Sequence, residues 1–156
     1  MKTLSAIFLI TILLSGCNPK GRIYSKHKEL SKDLEWLKKD VIKFNAPIDD
    51  NSLSYNLSLS FRYAYGYQFN IMKVSVTEIS PSGKQITNNY DLIIKAENGD
   101  YIGDPGYDIW DSEHLIVENK HYDEVGVYKY IIEHNMPNDP VNFAMEIGLI
   151  IDEVPF

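Results

Sequence analysis

The sequence predicts an all-β protein: a single antiparallel β-sandwich of about seven or eight strands, Ig-like or jelly-roll-like, with a short helix at its amino-terminal edge. Three observations predict it. Apolar residues recur with a period of two in run after run. Gly, Pro and Asn turns separate those runs about every ten residues. Aromatic residues, which suit half-buried strand surfaces, are abundant at 11 Tyr, 6 Phe and 2 Trp in 156 residues.

The chain opens with Lys2 and an apolar run from Leu4 to Leu14. A spanning helix needs roughly 18 apolar residues, so this run has the build of a secretory signal. It ends in Leu14-Ser15-Gly16-Cys17, the form of a bacterial lipobox, in which the cysteine thiol is acylated and the peptide is cut just before it. Cys17 is the only cysteine in the chain. The organisation expected is a lipoprotein signal peptide over 1–16, a lipidated tether over 17–26 and the sandwich over 27–156. Two or three acyl chains, at about 0.8 kcal/mol per buried CH₂, make the bilayer a permanent partner. Asn18 follows the cysteine, and Pro19-Lys20-Gly21-Arg22 lacks an acidic surface-export cluster. The expected location is therefore the periplasmic face of the outer membrane, with the cell surface as the alternative.

Segment 27–39 is the helix candidate. Leu30, Leu34, Leu37 and Val41 fall at helical spacing, and Glu35 and Lys39 stand four apart. From residue 40 the period is two. Leu53, Tyr55, Leu57, Leu59, Phe61 and Tyr63 share one face of a strand, opposite Ser54, Asn56, Ser58, Ser60 and Arg62. Residues 68–79 follow with Met72, Val74 and Val76 inward. Pro81-Ser82-Gly83-Lys84 is a turn. The return strand over 85–95 alternates Tyr90, Leu92 and Ile94, and Glu97-Asn98-Gly99-Asp100 is another turn. Three more strands are expected: 113–118, 127–134 with Tyr128, Tyr130 and Ile132 inward, and 143–151 with Phe143, Met145, Ile147, Leu149 and Ile151 inward. Met136-Pro137-Asn138-Asp139-Pro140 separates the last two.

Charge and motifs exclude several functions. With 15 Lys+Arg against 22 Asp+Glu, a net charge of −7 argues against nucleic-acid binding. One cysteine makes neither an intrachain disulfide nor a multi-thiolate zinc site. No G-x-S-x-G, H-E-x-x-H, Walker or dinucleotide-binding motif is present, so no cofactor, metal or enzymatic activity is expected. His27, His114, His121 and His134 match no ligand spacing. Asp100, Asp104, Asp108 and Asp111 place four carboxylates in twelve residues. A solvated loop is the favoured reading and a Ca²⁺ site the alternative, because EF-hand spacing and a bidentate Glu are missing. Tyr63, Tyr65 and Tyr67, with Trp110, are the candidate ligand-binding residues: a stacking platform for sugar rings. The competing reading has tyrosines closing one end of the sandwich with their hydroxyls in water.

After the lipobox come Trp36, Lys39-Asp40 and Phe44, then Tyr55 leading into Leu57-x-Leu59-x-Phe61-Arg62-Tyr63. Ile79-Ser80-Pro81-Ser82-Gly83-Lys84, Gly99-Asp100-Tyr101-Ile102-Gly103 and Asp108-Ile109 follow. Gly126-Val127-Tyr128 with Ile132, His134 and Met136, and Ile147-Gly148-Leu149, complete the series. In order and spacing these resemble the GldH family of gliding-motility lipoproteins of Bacteroidetes-type bacteria, over about residues 24–151. The resemblance implies a non-enzymatic, lipid-anchored envelope protein. It would be an interaction or scaffold module of the gliding or type IX secretion machinery, beside other envelope lipoproteins. Only Cys17 carries over as a functional residue. The alternative function is a carbohydrate-binding envelope lipoprotein with a tyrosine-rich stacking surface.

Overall fold

A computed structural model describes residues 21–155. The expected signal peptide over 1–16 and the expected lipobox residues Leu14, Ser15, Gly16 and Cys17 lie outside the described residues. Among those described there are eleven strands and no helix: β1 Arg22–Glu29, β2 Glu35–Trp36, β3 Ile42–Ile48, β4 Tyr55–Ala64, β5 Ile71–Ile79, β6 Gln85–Ile93, β7 Asp104–Pro105, β8 Ile109–Lys120, β9 Gly126–His134, β10 Val141–Asn142 and β11 Ala144–Glu153. They build two sheets and a small ribbon. The five-stranded sheet has the order β1-β11-β4-β8-β7, the four-stranded sheet β3-β9-β5-β6, and β10 pairs with β2. All pairings are antiparallel. β1 lies near β3 at one lateral side and β6 near β8 at the other. This is the expected sandwich.

The core lies between the sheets, where period two puts it. Tyr55, Leu57, Leu59, Phe61 and Tyr63 of β4 are buried, as are Met72, Val74 and Val76 of β5 and Tyr128, Tyr130 and Ile132 of β9. Ile42, Phe44, Ala46 and Ile48 of β3 alternate inward in the same way. Each large side chain so buried contributes roughly 1.5–3 kcal/mol of burial free energy. The outer face of the five-stranded sheet carries one tight spot. A Cβ on Gly148 would collide with Ser60 Oγ and the His27 ring, so β1, β11 and β4 approach closely only around a glycine.

The amino-terminal helix is not formed. Residues 22–29 are β1, zipped to β11 from Arg22↔Asp152 to Glu29↔Glu146. The strand thus starts inside the segment 17–26 expected to be tether. The ladder to β11, whose partners are 130 positions away at Arg22 and Asp152, takes the first three residues of the candidate helix, and Glu35–Trp36 pair with β10. Leu34 sits in the left-handed region (φ 56°), which no helix accommodates. Trp36 is fully buried, and its indole N–H donates to the Asp40 carbonyl at 2.9 Å.

The last strand differs in phase. Register skips between Ala144 and Glu146, so alternation reverses there. Ala144 is buried, whereas Phe143, at φ 64°, is partly exposed. Ile147, Leu149 and Ile151 point inward as expected. β8 runs longer than the expected 113–118, because β4 pairs with it from Lys120 back to Ile109.

Candidate functional site

β4 carries tyrosines to both ends of the sandwich. At its carboxy-terminal end Phe61, Tyr63 and Tyr67 pack together, with ring centroids 5.6–5.7 Å apart. Tyr63 and Tyr67 are fully buried. The Tyr63 hydroxyl donates to the Ile102 carbonyl, and that of Tyr67 meets the Met72 sulfur at 3.1 Å. Burial, reinforced by Tyr101, pushes the Tyr63 phenol up to about 12. Burial raises Tyr67 further, with Tyr63 adding to it.

Tyr65 is different. It follows β4, its N–H donates to the Asp108 carbonyl at 2.7 Å, and it is 68% exposed. Its ring stands 6.3 Å from both Tyr101 and Trp110, which are themselves 4.6 Å apart and half-buried. Tyr101 locks the turn: its hydroxyl accepts the Gly66 N–H and donates to the Tyr67 carbonyl, both at 3.1 Å. Gly66 has φ 99°, and the Phe143 ring lies 3.3 Å from where its Cβ would be. Tyr107, next to Asp108, is fully exposed.

The expected four-residue platform is therefore corrected. Tyr63 and Tyr67 are core residues and offer no face to a ligand. The strand period stops after Ala64: Tyr65 and Gly66 form a turn that leaves Tyr65 outside and brings Tyr67 back against Tyr63. Tyr65 and Trp110 remain at the surface, joined by Tyr101. Sequence reading missed Tyr101 as a site residue; its one signal was its place just beyond the Asn98-Gly99 turn.

The opposite end is closed. Tyr122 and Tyr130 share a hydroxyl–hydroxyl hydrogen bond of 2.7 Å. Tyr55 donates to the Asp50 carbonyl at 2.6 Å and Tyr128 to the Glu124 carbonyl at 3.0 Å. Tyr122 lies 5.4 Å from Tyr55 and 4.6 Å from Tyr128. All four rings are buried.

The polar candidates do not converge. Asp111 is gripped by Arg62, at 2.6 and 2.9 Å. Asp100 accepts from Asn98, and Asp104 faces Asp111 across the β7–β8 ladder. Among the described residues no three His, Cys, Asp or Glu are grouped to hold a metal ion. A polar hollow of about 290 Å³ on the outer face of the five-stranded sheet includes Arg22 and Arg62. Both are already paired, Arg22 with Asp152 at 2.9 Å and Glu113 at 3.2 Å. The histidines are scattered. Ser112 donates its hydroxyl proton to the Phe61 carbonyl at 3.0 Å, so His114 Nε2, 2.9 Å away, is the donor to Ser112. His134 is buried edge-on to Trp36, its Nδ1 facing the Met136 N–H and its Nε2 without a protein partner. Burial lowers the pKa of both rings; for His134, Asp139 opposes and Lys38 adds to the shift.

The chain is similar in sequence to known proteins. A gliding motility lipoprotein GldH homolog of Christiangramia forsetii is 29% identical over 148 residues, covering 94% of this chain and 89% of that protein. Gliding motility lipoprotein GldH of Flavobacterium johnsoniae is 27% identical over 113 residues, covering 72% of this chain and 69% of that one. Among solved structures, the infectious bursal disease virus VP2 subviral particle aligns at a TM-score of 0.40 and 16% identity. That alignment takes in 95% of this chain and 36% of the viral chain, so the chain spans about a third of its length; the likeness is too loose to carry an argument. The sequence model of the GldH lipoprotein family matches residues 22–151. That span opens on the first residue of β1, takes in both tyrosine ends and closes within β11, and by it the chain belongs to the GldH lipoprotein family.

Proposed function

We propose that this chain is a non-catalytic, lipid-anchored module of the gliding or type IX secretion machinery. It is held in the envelope by acylated Cys17, on the periplasmic face of the outer membrane, and docks other envelope proteins. The observation that carries this reading is the family match across residues 22–151, from the first strand into the last. The relatives' names attach gliding motility to two of its members. The docking surface we assign is the exposed aromatic end: Tyr65 with Trp110 and Tyr101. Aromatic side chains held rigid by neighbours lose little entropy on binding, and such residues dominate interface energetics.

Crosslinking in native cells with a tag after Phe156, followed by mass spectrometry, tests it. Motility or secretion components recovered from the parental chain and lost from Tyr65→Ala are the expected result. Recovery of only the background seen with an unrelated lipoprotein overturns the reading. A Cys17→Ala chain is expected to remain an unprocessed precursor; mature size and normal membrane fractionation would remove the anchor from the proposal.

A second reading has one observation in its favour. Tyr65 and Trp110 stand at the surface within a sugar ring's reach of one another, 6.3 Å apart at 35°. A glycan array on the purified domain decides it: binding lost in Trp110→Ala supports carbohydrate recognition, and no binding to any glycan dismisses it.

A further inference from the structure

The four sheet edges of this molecule are unequal. Exposed edge strands invite pairing with another chain, and proteins blunt them with charge, proline, bulges or brevity. β1 carries Arg22, Lys26, His27, Lys28 and Glu29. β3 carries Lys43 and Pro47. β7 is two residues long, and the edge of β8 beyond it bears Glu113, Glu118 and Lys120 along with irregular register. β6 has the least of these devices. It spans nine residues, Gln85–Ile93, with Asp91 as its single charge and no proline. It ends the four-stranded sheet and pairs only with β5. Ile86 and Ile93 are 47% and 53% exposed, and Leu115 of β8, across the open side of the sandwich, is 54% exposed. Between the two strands lies a hollow of about 330 Å³ that includes Tyr90, Leu92, Ile102, His114 and Ile116.

We infer that β6 is a self-association edge, and that its partner is β6 of a second copy of this chain, added antiparallel across a two-fold axis through Asn89. The strand is self-complementary, and charge selects the register. The register that overlaps all nine residues pairs Asn89 with Asn89 of the second copy, Ile86 with Leu92, Asn88 with Tyr90 and Gln85 with Ile93. Asp91 then stands opposite Thr87, twice, and no like charges meet. Shifting the centre of pairing to residue 91 sets the two Asp91 carboxylates against each other, a repulsive cross-strand pair. The contact is isologous and closed, so it makes a dimer with one continuous eight-stranded sheet rather than a filament.

The layering supports the same assembly. The axis runs normal to the sheets. Both copies of β1 belong to the five-stranded layers, which lie on one face of the joined sheet. Both copies of Arg22, the first residue of β1, therefore lie in layers on the same face of the joined sheet, which suits two molecules tethered to one membrane. This compatibility rests on the anchoring proposed above; the pairing itself does not.

The test is a single engineered thiol in the full-length chain, oxidised in native membranes. Asn89→Cys places two thiols across the axis. The expected product has twice the chain's mass and contains this chain alone, while the parental chain, with only Cys17, and a Lys43→Cys control on the far edge give none. Charge then gives opposite signs. On the Asn89→Cys background, Thr87→Asp sets a second carboxylate against each Asp91 and is expected to lower the dimer yield roughly tenfold. Thr87→Lys supplies an opposite charge and is expected to raise it. Both variants lose the same 2.7 Å Thr77–Thr87 hydroxyl contact, so a purely structural effect would move them together. No self-crosslink, a crosslink to another protein only, or the same direction of change in both Thr87 variants overturns the inference. Acylation blocks the Cys17 thiol, so a disulfide dimer in the parental chain reports failure of the anchor, whereas loss of the Asn89→Cys product in a Cys17→Ala background reports failure of the pairing.

Discussion

The two ends of the sandwich are built from the same residue and behave as opposites. At the Tyr55 end, Tyr55, Tyr122, Tyr128 and Tyr130 are buried, and each hydroxyl is hydrogen-bonded to a neighbouring hydroxyl or a main-chain carbonyl. At the Tyr63 end burial is graded, from Tyr63 and Tyr67 in the core through Trp110 and Tyr101 to the largely exposed Tyr65. Ring spacings are similar at both, 4.6–5.4 Å at the first and 4.6–6.3 Å at the second. Spacing therefore does not separate a structural tyrosine from one free to bind; the destination of the hydroxyl and the exposed ring face do.

The sharpest way to test that contrast lies within one end. Tyr63→Ala is expected to cost about 3–5 kcal/mol in chemical denaturation, the usual range for deleting a buried aromatic. Tyr65→Ala, two residues on, is expected to stay within about 0.5 kcal/mol and to show only in partner capture. Equal costs would erase the distinction. Next, at the closed end, Tyr130→Phe leaves the Tyr122 hydroxyl buried without its partner and is expected to cost about 1–3 kcal/mol. The Tyr122→Phe/Tyr130→Phe double variant is expected to recover much of that, since no orphaned hydroxyl remains. Gly66→Ala is expected to cost about 1–2 kcal/mol, because φ of 99° is strained for any side chain. It is also expected to blunt partner capture by displacing Tyr65.

pH gives the smallest effects and divides the molecule another way. Burial raises the buried tyrosines at both ends, Tyr63 to about 12. Their neutral form is favoured by the fold, and unfolded phenols ionise near 10, so stability is expected to fall as pH rises beyond about 10. On the acid side, burial lowers His114 and His134. Their contribution is complete above the unfolded value of about 6.5 and declines as pH falls through the lowered folded value. Thermal melts between pH 7.5 and 5 are expected to slope downward, and to flatten in His114→Asn/His134→Asn.

How far the sequence could be read follows from who each strand's neighbours are. β4, β5 and β9 lie inside their sheets, with partners on both sides and one face in the core, so their alternation of apolar residues was legible and their inward faces were correct. β1 has one partner, and that partner is the last strand of the chain. Nothing near residues 22–29 announces it, and the Leu30, Leu34, Leu37 spacing pointed to a helix instead. The same blindness hid half the site. Tyr63, Tyr65 and Tyr67 look alike in a period-two run, and only the turn at Tyr65-Gly66 decides that Tyr65 faces outward. Tyr101 reaches the site from more than thirty residues away, by the 3.1 Å bonds its hydroxyl makes to Gly66 and Tyr67.

The placement of β11 has a consequence for the timing of folding. The last of the described strands sits between the first of them and β4, hydrogen-bonded to both. Until residues 144–153 are available, β1 has no neighbour in its sheet and β4 has only β8. Such distant pairings form slowly, because the chain must close its longest loops before they bring any reward. Until then the five-stranded sheet stays open at β1 and at one side of β4, while the four-stranded sheet already has all its strands. Arrival of β11 is the step that closes the five-stranded sheet, and a truncation of a few carboxy-terminal residues would act as a block on folding rather than a trim.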